Sequence, residues 1–235
     1  MRVAALVLAA GEGRRLRATL AAAPPKALVT LAGTTLLARS LAVLASVREI
    51  ERIVPVLPPA SFDTWPRVRA ELADASKLTA PVPGGALRQD SVRAGLAVLP
   101  GEVTHVAVHD AARPLVRAAD VSRVVAAGLS VGAALLAVPA ADTIHRVVGG
   151  RIAETPPRIE CFAAQTPQVF RVDWLREALA KAAAEGNVGT DDAALVARLG
   201  VPVQVLPGDA ENLKITTAAD LALAEALLAR RDAST

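Results

Sequence analysis

The sequence predicts an α/β fold, a mostly parallel central sheet flanked on both faces by helices. Five short apolar runs, at residues 3–10, 53–57, 105–109, 132–139 and 201–206, are too continuous for half-exposed strands. The stretches between them place apolar residues at helical spacing, which is the pattern of strands alternating with covering helices. The chain has 235 residues, 53% of them hydrophobic, enough to bury one substantial core, so residues 1–235 are expected to form a single domain.

Residues 3–10 read as the first strand. They superficially resemble a short signal segment, but the run is short, the preceding charge is single, and the loop Gly11-Glu12-Gly13-Arg14-Arg15 follows at once. Helices are expected at residues 35–44, 90–98, 118–127 and 172–184. Thr217-Ala218-Ala219-Asp220 is a capping box that opens the last helix, with the tail beyond Arg230 expected to fray. One segment breaks the alternation. Residues 143–162 carry Gly149-Gly150 between two short β-prone runs, a hairpin signal, and are expected to form a protruding β-arm at about residues 140–163. Such an arm lacks material for its own core and needs a partner surface, so a homodimer through the arm is expected.

Composition narrows the partners. With 26 basic and 23 acidic residues the formal charge is only +3, and three Phe, two Trp and no Tyr leave few rings for stacking bases. Nucleic acid is therefore not expected as a partner. No apolar stretch approaches the eighteen or so residues of a membrane span, so no membrane partner is expected. Cys161, the single cysteine, has no disulfide partner within the chain. It is expected to pack in a reducing, cytoplasmic setting. Trp65 and Trp174 read as packing residues.

The most informative segment is Leu8-Ala9-Ala10-Gly11-Glu12-Gly13-Arg14-Arg15, a buried strand running into a glycine loop with two arginines. Glycines let backbone N–H groups approach phosphates, and arginine offers a fork of donors to their oxygens. A dinucleotide fingerprint would need Gly or Ala where Leu16 stands and an acidic residue near Val56, and neither is present. The Walker phosphate loop is also missing. Next comes Pro24-Pro25-Lys26-Ala27-Leu28. Taken alone, Lys26 reads as a solvated charge; beside a glycine loop, a proline-fixed lysine is placed to lie along a polyphosphate.

A glycine loop of the form L-A-A-G-x-G-x-R followed by P-K resembles the opening of the sugar-nucleotide and polyol-phosphate nucleotidyltransferases. Val82-Pro83-Gly84-Gly85-Ala86-Leu87-Arg88-Gln89-Asp90-Ser91-Val92 is similar to a further segment of that family. Val108-His109-Asp110-Ala111-Ala112-Arg113-Pro114 and Gln165-Thr166-Pro167-Gln168, which resembles a turn of that family, narrow the resemblance to the 2-C-methylerythritol 4-phosphate cytidylyltransferases, as do Thr190-Asp191-Asp192 and Asn212-Leu213-Lys214-Ile215-Thr216. The segments occur in family order over nearly the whole chain. Ala27 stands where many members have Gln and Ala86 where some have Asp, so side-chain contacts from those positions are not carried over.

The resemblance implies a Rossmann-like nucleotidyltransferase fold and a reaction in which an acceptor phosphate oxygen attacks the α-phosphorus of CTP and pyrophosphate leaves. A phosphate is already ionised at neutral pH, so no general base is required, which suits a chain with three histidines. It assigns Arg15 and Lys26 to the triphosphate and leaving group, and Lys214 to the α-phosphoryl group and incoming phosphate. Ala9, Ala10, Gly11 and Gly13 would line the nucleotide together with Gly84, Gly85, Arg88 and Ser91. Asp110 would bind both the nucleotide and Mg²⁺, although alone it reads equally as a turn aspartate. Arg158, Thr166, Thr190 and Asp191 are the candidates for the polyol phosphate, with Arg158 reaching a neighbouring subunit through the arm. Thr190 also reads as a helix N-cap with Asp191 and Asp192 in an acidic first turn, and His109 as a hydrogen-bonded core residue. Arg113 is expected to tie the loop down through carbonyls or Asp110. Ribitol 5-phosphate is the alternative acceptor. The arm and residues 212–216 argue against a cytidylyltransferase acting on a molybdopterin-type cofactor. A non-catalytic nucleotide-binding protein is the alternative from another class, and would not need one carboxylate and three separated cations together.

Overall fold

Nothing between Val3 and Val7 calls for water, and in the computed structural model of the protein this run lies within β1 (Arg2–Leu8), near the middle of a seven-stranded sheet. The structure describes residues 1–11, 13–19 and 25–233, without the side chains of Arg14, Arg17 and Asp232. Glu12 of the glycine loop and Pro24 lie outside the described residues, and Arg14 is described by its backbone alone. After β1 come α1 (Arg14–Thr19), a small hairpin of β2 (Thr30–Leu31) and β3 (Thr34–Thr35), α2 (Leu36–Ser46), β4 (Ile50–Leu57), α3 (Trp65–Ala70) and β5 (Val82–Pro83). The middle of the chain forms α4 (Arg88–Ala97), β6 (Val103–Asp110), α5 (Ala118–Val131), β7 (Ala133–Pro139), β8 (Arg146–Val148) and β9 (Arg151–Glu154). It ends with β10 (Phe162–Arg171), α6 (Val172–Ala184), α7 (Asp192–Ala197), β11 (Gln204–Pro207) and α8 (Ala218–Asp232).

The sheet order is β11-β7-β10-β6-β1-β4-β5. The ladders are parallel except those of β10, which runs antiparallel to both β6 and β7. Side chains alternate across a strand, and β1 shows the result. Val3, Ala5 and Val7 pack beneath α2 and α5 with Leu37, Leu41, Val121 and Val124, whereas Ala4 and Leu6 face Val92, Leu96, Leu175 and Leu179 of α4 and α6. Each fully buried leucine of this kind contributes roughly 1.5–3 kcal/mol relative to exposure. A third, smaller cluster, with Leu16, Leu31, Leu115, Ile215 and Ala224, seats α8 against α1 and the β2–β3 hairpin.

The expected strands and helices are present, and α6 begins and ends where its periodicity does. The Thr217 hydroxyl accepts from Asp220 N–H and opens α8 as the capping box predicts. Gly149 and Gly150, both at positive φ, turn the chain between β8 and β9, and Trp65 and Trp174 are partly buried against the two main clusters. Three expectations need correction. Residues 165–168 are not a turn but part of buried β10, because Pro167 sits at the irregularity between Ala164 and Gln168, where the β7 ladder is already interrupted. The last helix continues past Arg230 to Asp232, with Arg231 donating to Glu211 at 2.9 Å and to the Leu115 carbonyl at 3.0 Å, and the end of the tail, residues 234–235, lies outside the described residues. Cys161 is not core packing but lies partly exposed at the foot of the arm, its Sγ 3.5 Å from the Pro157 carbonyl.

Candidate active site

The sheet winds outward from β1 through β4 to β5, and the chain then returns to lay β6 on the other side of β1. Ligands of open α/β sheets gather outside the carboxyl ends of the strands at such a reversal. A cavity of about 720 Å³ opens there, walled by the segments that follow β1, β4, β5 and β6 and by Lys214 and Thr216. All twelve residues expected to serve catalysis or nucleotide binding line it. Ala9, Ala10, Gly11, Gly13 and Arg15 come from the first loop, with Lys26 beside them, and Gly84, Gly85, Arg88 and Ser91 form the opposite wall. Asp110 and Lys214 close the third side.

Backbone bonds that extend the sheet hold these walls. Ala9 N–H donates to Val56 at 2.8 Å, Gly84 N–H to Leu57 at 2.8 Å and Ala111 N–H to Leu8 at 3.0 Å. Gly84 has to be glycine, since a Cβ there would lie 2.2 Å from the Ala10 Cβ and 2.9 Å from Ser91 Oγ. Gly13 adopts φ +63°, and a Cβ on it would stand 2.6 Å from the Lys26 Cβ. A Cβ on Gly11 would meet nothing within 4 Å, so the loop leaves its backbone open to a ligand. Ser91 Oγ accepts from Gly85 N–H at 3.2 Å and braces that turn.

The charges alternate across the floor. Lys214 Nζ donates to Asp110 Oδ2 at 2.6 Å, Arg88 Nε approaches Asp110 Oδ1 at 3.4 Å, and Arg88 NH1 donates to Asp192 Oδ2 at 2.6 Å. Burial opposes ionisation of Asp110, but the Arg88 and Lys214 cations overcome it and hold the carboxyl well below the usual carboxylate range. Lys26 is pushed down to about 8, by burial first and then by the charge of Lys214. Among the described residues the cavity thus holds a cationic wall with one ionised carboxylate, Asp110, in it, a setting for a polyphosphate.

Beneath Asp110 lies a buried polar network. Burial pushes the His109 imidazole down to about 4, so it is neutral at pH 7. Its Nε2 faces the Arg113 carbonyl at 3.3 Å and must carry the proton, which leaves Nδ1 to accept from the Thr166 hydroxyl at 3.1 Å. Thr166 Oγ1 in turn accepts from Asp110 N–H at 3.0 Å. Arg113 donates to the carbonyls of Asn212 at 2.7 Å and Ala164 at 3.1 Å, so it ties the loop through carbonyls.

The four expected acceptor residues do not line the cavity. Thr166 is buried under Asp110. The cap of α7 is Asp191 and not Thr190: its carboxylate accepts from Ala194 N–H at 2.8 Å and from Gln168 Nε2 at 2.8 Å, and Thr190 is exposed beside it. Arg158 is exposed on the arm, within 3.3 Å of the Ala141 carbonyl. Asp192, which sequence reasoning left without a role of its own, is buried and paired with Arg88 of the cavity wall. It stands in the Thr190-Asp191-Asp192 motif, but its partner lies 104 residues away in Arg88, and a buried pairing at that range has no local signal.

No group of three or more His, Cys, Asp and Glu side chains that would cage a metal occurs among the described residues. The donor set fits Mg²⁺ held in another way, because that ion binds through one or two carboxylates plus substrate phosphates. Asp110 is ionised, is a hard oxygen donor and faces the cavity.

The winding reversal, the glycine loop and a cationic cavity that contains the ionised Asp110 define a nucleotidyltransferase. The model of the IspD family, 2-C-methyl-D-erythritol 4-phosphate cytidylyltransferase, matches residues 3–230. The enzyme of that name from Geobacillus kaustophilus is 41% identical over 231 residues, covering 98% of this chain and 99% of its own. The Deinococcus radiodurans enzyme is 44% identical over 231 residues, with 98% and 91% covered. Among solved structures, 2-C-methyl-D-erythritol 4-phosphate cytidylyltransferase from Thermus thermophilus superposes with a TM-score of 0.73 at 37% identity over 97% of this chain and 98% of that one. The chain belongs to the 2-C-methyl-D-erythritol 4-phosphate cytidylyltransferase family. It is a CTP-dependent cytidylyltransferase.

Proposed function

We propose that this cavity makes 4-diphosphocytidyl-2-C-methyl-D-erythritol and pyrophosphate from CTP and 2-C-methyl-D-erythritol 4-phosphate, supplying a precursor for isoprenoid synthesis. The observation that carries the reading is the convergence of Lys26, Arg88, Asp110 and Lys214 on one cavity where the winding reverses. Gly11 leaves its backbone open to the phosphates, and Arg15 and Lys26 hold the triphosphate. Lys214 meets the incoming phosphate and the α-phosphoryl group. The acceptor oxygen forms a bond to the α-phosphorus, the α–β bridging bond breaks, and its electron pair leaves with pyrophosphate. Positioning and charge neutralisation drive the step, with no general base. Mg²⁺ bound by Asp110 and the nucleotide's phosphates would neutralise charge on the leaving group.

The acceptor's own phosphate and polyol fall to Thr190, Asp191 and Arg158, with Thr166 supporting the site from beneath Asp110. Arg158 belongs to the arm, whose Val147, Val148, Ile152 and Ile159 are 56%, 60%, 62% and 85% exposed. That apolar surface supports a homodimer in which the arm of one subunit brings Arg158 to the site of the other. Residues 1–235 are read as one domain carrying this arm. No helix among the described residues is long and apolar enough to cross a membrane, in keeping with a cytoplasmic enzyme acting on soluble substrates.

The test is pyrophosphate release by the purified protein with CTP and Mg²⁺, comparing 2-C-methyl-D-erythritol 4-phosphate, ribitol 5-phosphate and no acceptor. Release that requires methylerythritol phosphate is the expected result. Release with ribitol phosphate alone would keep the mechanism and replace the acceptor.

A further inference from the structure

Arg88 lines the nucleotide cavity, yet its shorter contact points away from Asp110. NH1 lies 2.6 Å from Asp192 Oδ2, against 3.4 Å from Nε to Asp110 Oδ1. Asp192 itself cannot touch a substrate, because its side chain is 1% exposed and sits behind the cavity wall at the start of α7. A buried carboxylate is costly unless it is paired, and Asp192 is incompletely satisfied: Oδ1 has no hydrogen-bond partner. Burial also pushes its carboxyl up, against the pull of Arg88. A group held at such disadvantage, with no reach to the ligand, acts through the residue it touches.

The backbone on either side of Asp192 is pinned. Gln168 of β10 donates to Asp191 Oδ2 at 2.8 Å and accepts from Ala193 N–H at 3.1 Å. Asp192 therefore has little freedom to follow Arg88, so Arg88 is drawn to it. The guanidinium's flexible stem is held in one place, with its other edge set against Asp110 Oδ1, while Oδ2 is kept for Lys214.

We propose that Asp192 is a positioning residue that anchors Arg88 from behind the cavity wall and so fixes the orientation of the Asp110 carboxylate toward Lys214. The inference rests on the proposed seating of the nucleotide's phosphates beside Asp110. Without Asp192, the whole charge of Arg88 falls on Asp110 and competes there with Lys214. The loss also leaves the cavity one unit more positive, so attraction for CTP does not weaken.

The experiment compares the intact enzyme with Asp192→Asn, Arg88→Met and the double variant, following kcat, the KM for CTP and thermal melting. Asp192→Asn is expected to lower kcat roughly tenfold or more without raising the KM for CTP. In the Arg88→Met background the same change is expected to have no further effect on kcat, because Asp192 acts only through Arg88. Unaltered kcat in a folded Asp192→Asn protein overturns the proposal, and so does a loss that multiplies with that of Arg88→Met. Should Asp192→Asn fail to fold, Arg88→Met/Asp192→Leu leaves no lone buried charge and is compared with Arg88→Met, with the same criterion. An unmodified enzyme that releases no pyrophosphate from CTP would sink the functional reading instead, and that outcome is distinct from either.

Discussion

Lys26 sits partly buried near the charge of Lys214, its ammonium pushed down to about 8, so the pH range just above neutrality removes a charge that the proposed triphosphate site relies on. With that value, about nine-tenths of the lysine is charged at pH 7 and about one-tenth at pH 9, so the competent fraction falls roughly tenfold over two units. The sign follows from the ligand. A polyanion favours the charged lysine and raises its pKa in the complex, so CTP binding takes up a proton near pH 8 and affinity falls as pH rises through that value. The acceptor and nucleotide phosphates are already ionised above pH 7 and add no comparable slope. The assay is kcat/KM for CTP from pH 6.5 to 9.5 at saturating acceptor, with calorimetry in buffers of different ionisation heat to count the proton. Lys26→Arg keeps its charge throughout and is expected to flatten the profile whatever its absolute rate. A flat profile in the unmodified enzyme, or the same fall in Lys26→Arg, would refute the reasoning.

Lys214→Ala is expected to bind CTP but lose on the order of a hundredfold or more in kcat if, as proposed, its ammonium serves the reacting phosphorus; unchanged turnover would remove it from the mechanism. Gly84→Ala puts a methyl 2.2 Å from the Ala10 Cβ, which overpacking places at about 1–3 kcal/mol. The readouts are a lower melting temperature and weaker CTP binding, and a variant with both intact would show that the close approach is not needed. Val147→Asp with Ile152→Asp places charge on the exposed face of the arm and is expected to yield monomers in light scattering, with turnover lost because Arg158 no longer reaches a neighbouring site. A dimer that persists would contradict the assembly.

The first strand and the His105 to His109 run were legible because strands buried on both faces need continuous apolar residues. β10 was not, for a reason visible in its side chains. Gln165, Thr166 and Gln168 are polar, and Pro167 argues against a strand, yet each polar group is buried against a specific partner. Thr166 serves Asp110 and His109, Gln168 serves the start of α7, and Gln165 donates to the Asp209 carbonyl at 2.8 Å. Polarity signals exposure only where such partners are absent, and they come from distant parts of the chain. The same holds for the site. The glycine loop, Lys26, Asp110 and Lys214 lie in segments that resemble the family's motifs, and it was that resemblance that implied their meeting in one cavity. The Arg88 to Asp192 bond exists only in the folded chain.

Antiparallel β10 lies between β6 and β7, although both of those strands precede it in the chain. During vectorial synthesis, β7 therefore emerges with its future neighbour still unmade, and the whole arm must follow before β10 arrives. Until then the nascent sheet has an open seam, with the edge of β6 unpaired beside β1 and β7 apart from it, and unpaired edges of this kind invite mispairing. The last strand to enter the middle of the sheet is the one that carries Thr166 and Gln168. Closure of the seam thus coincides with completion of the support behind Asp110, and a chain halted before that point holds the glycine loop but no finished active site.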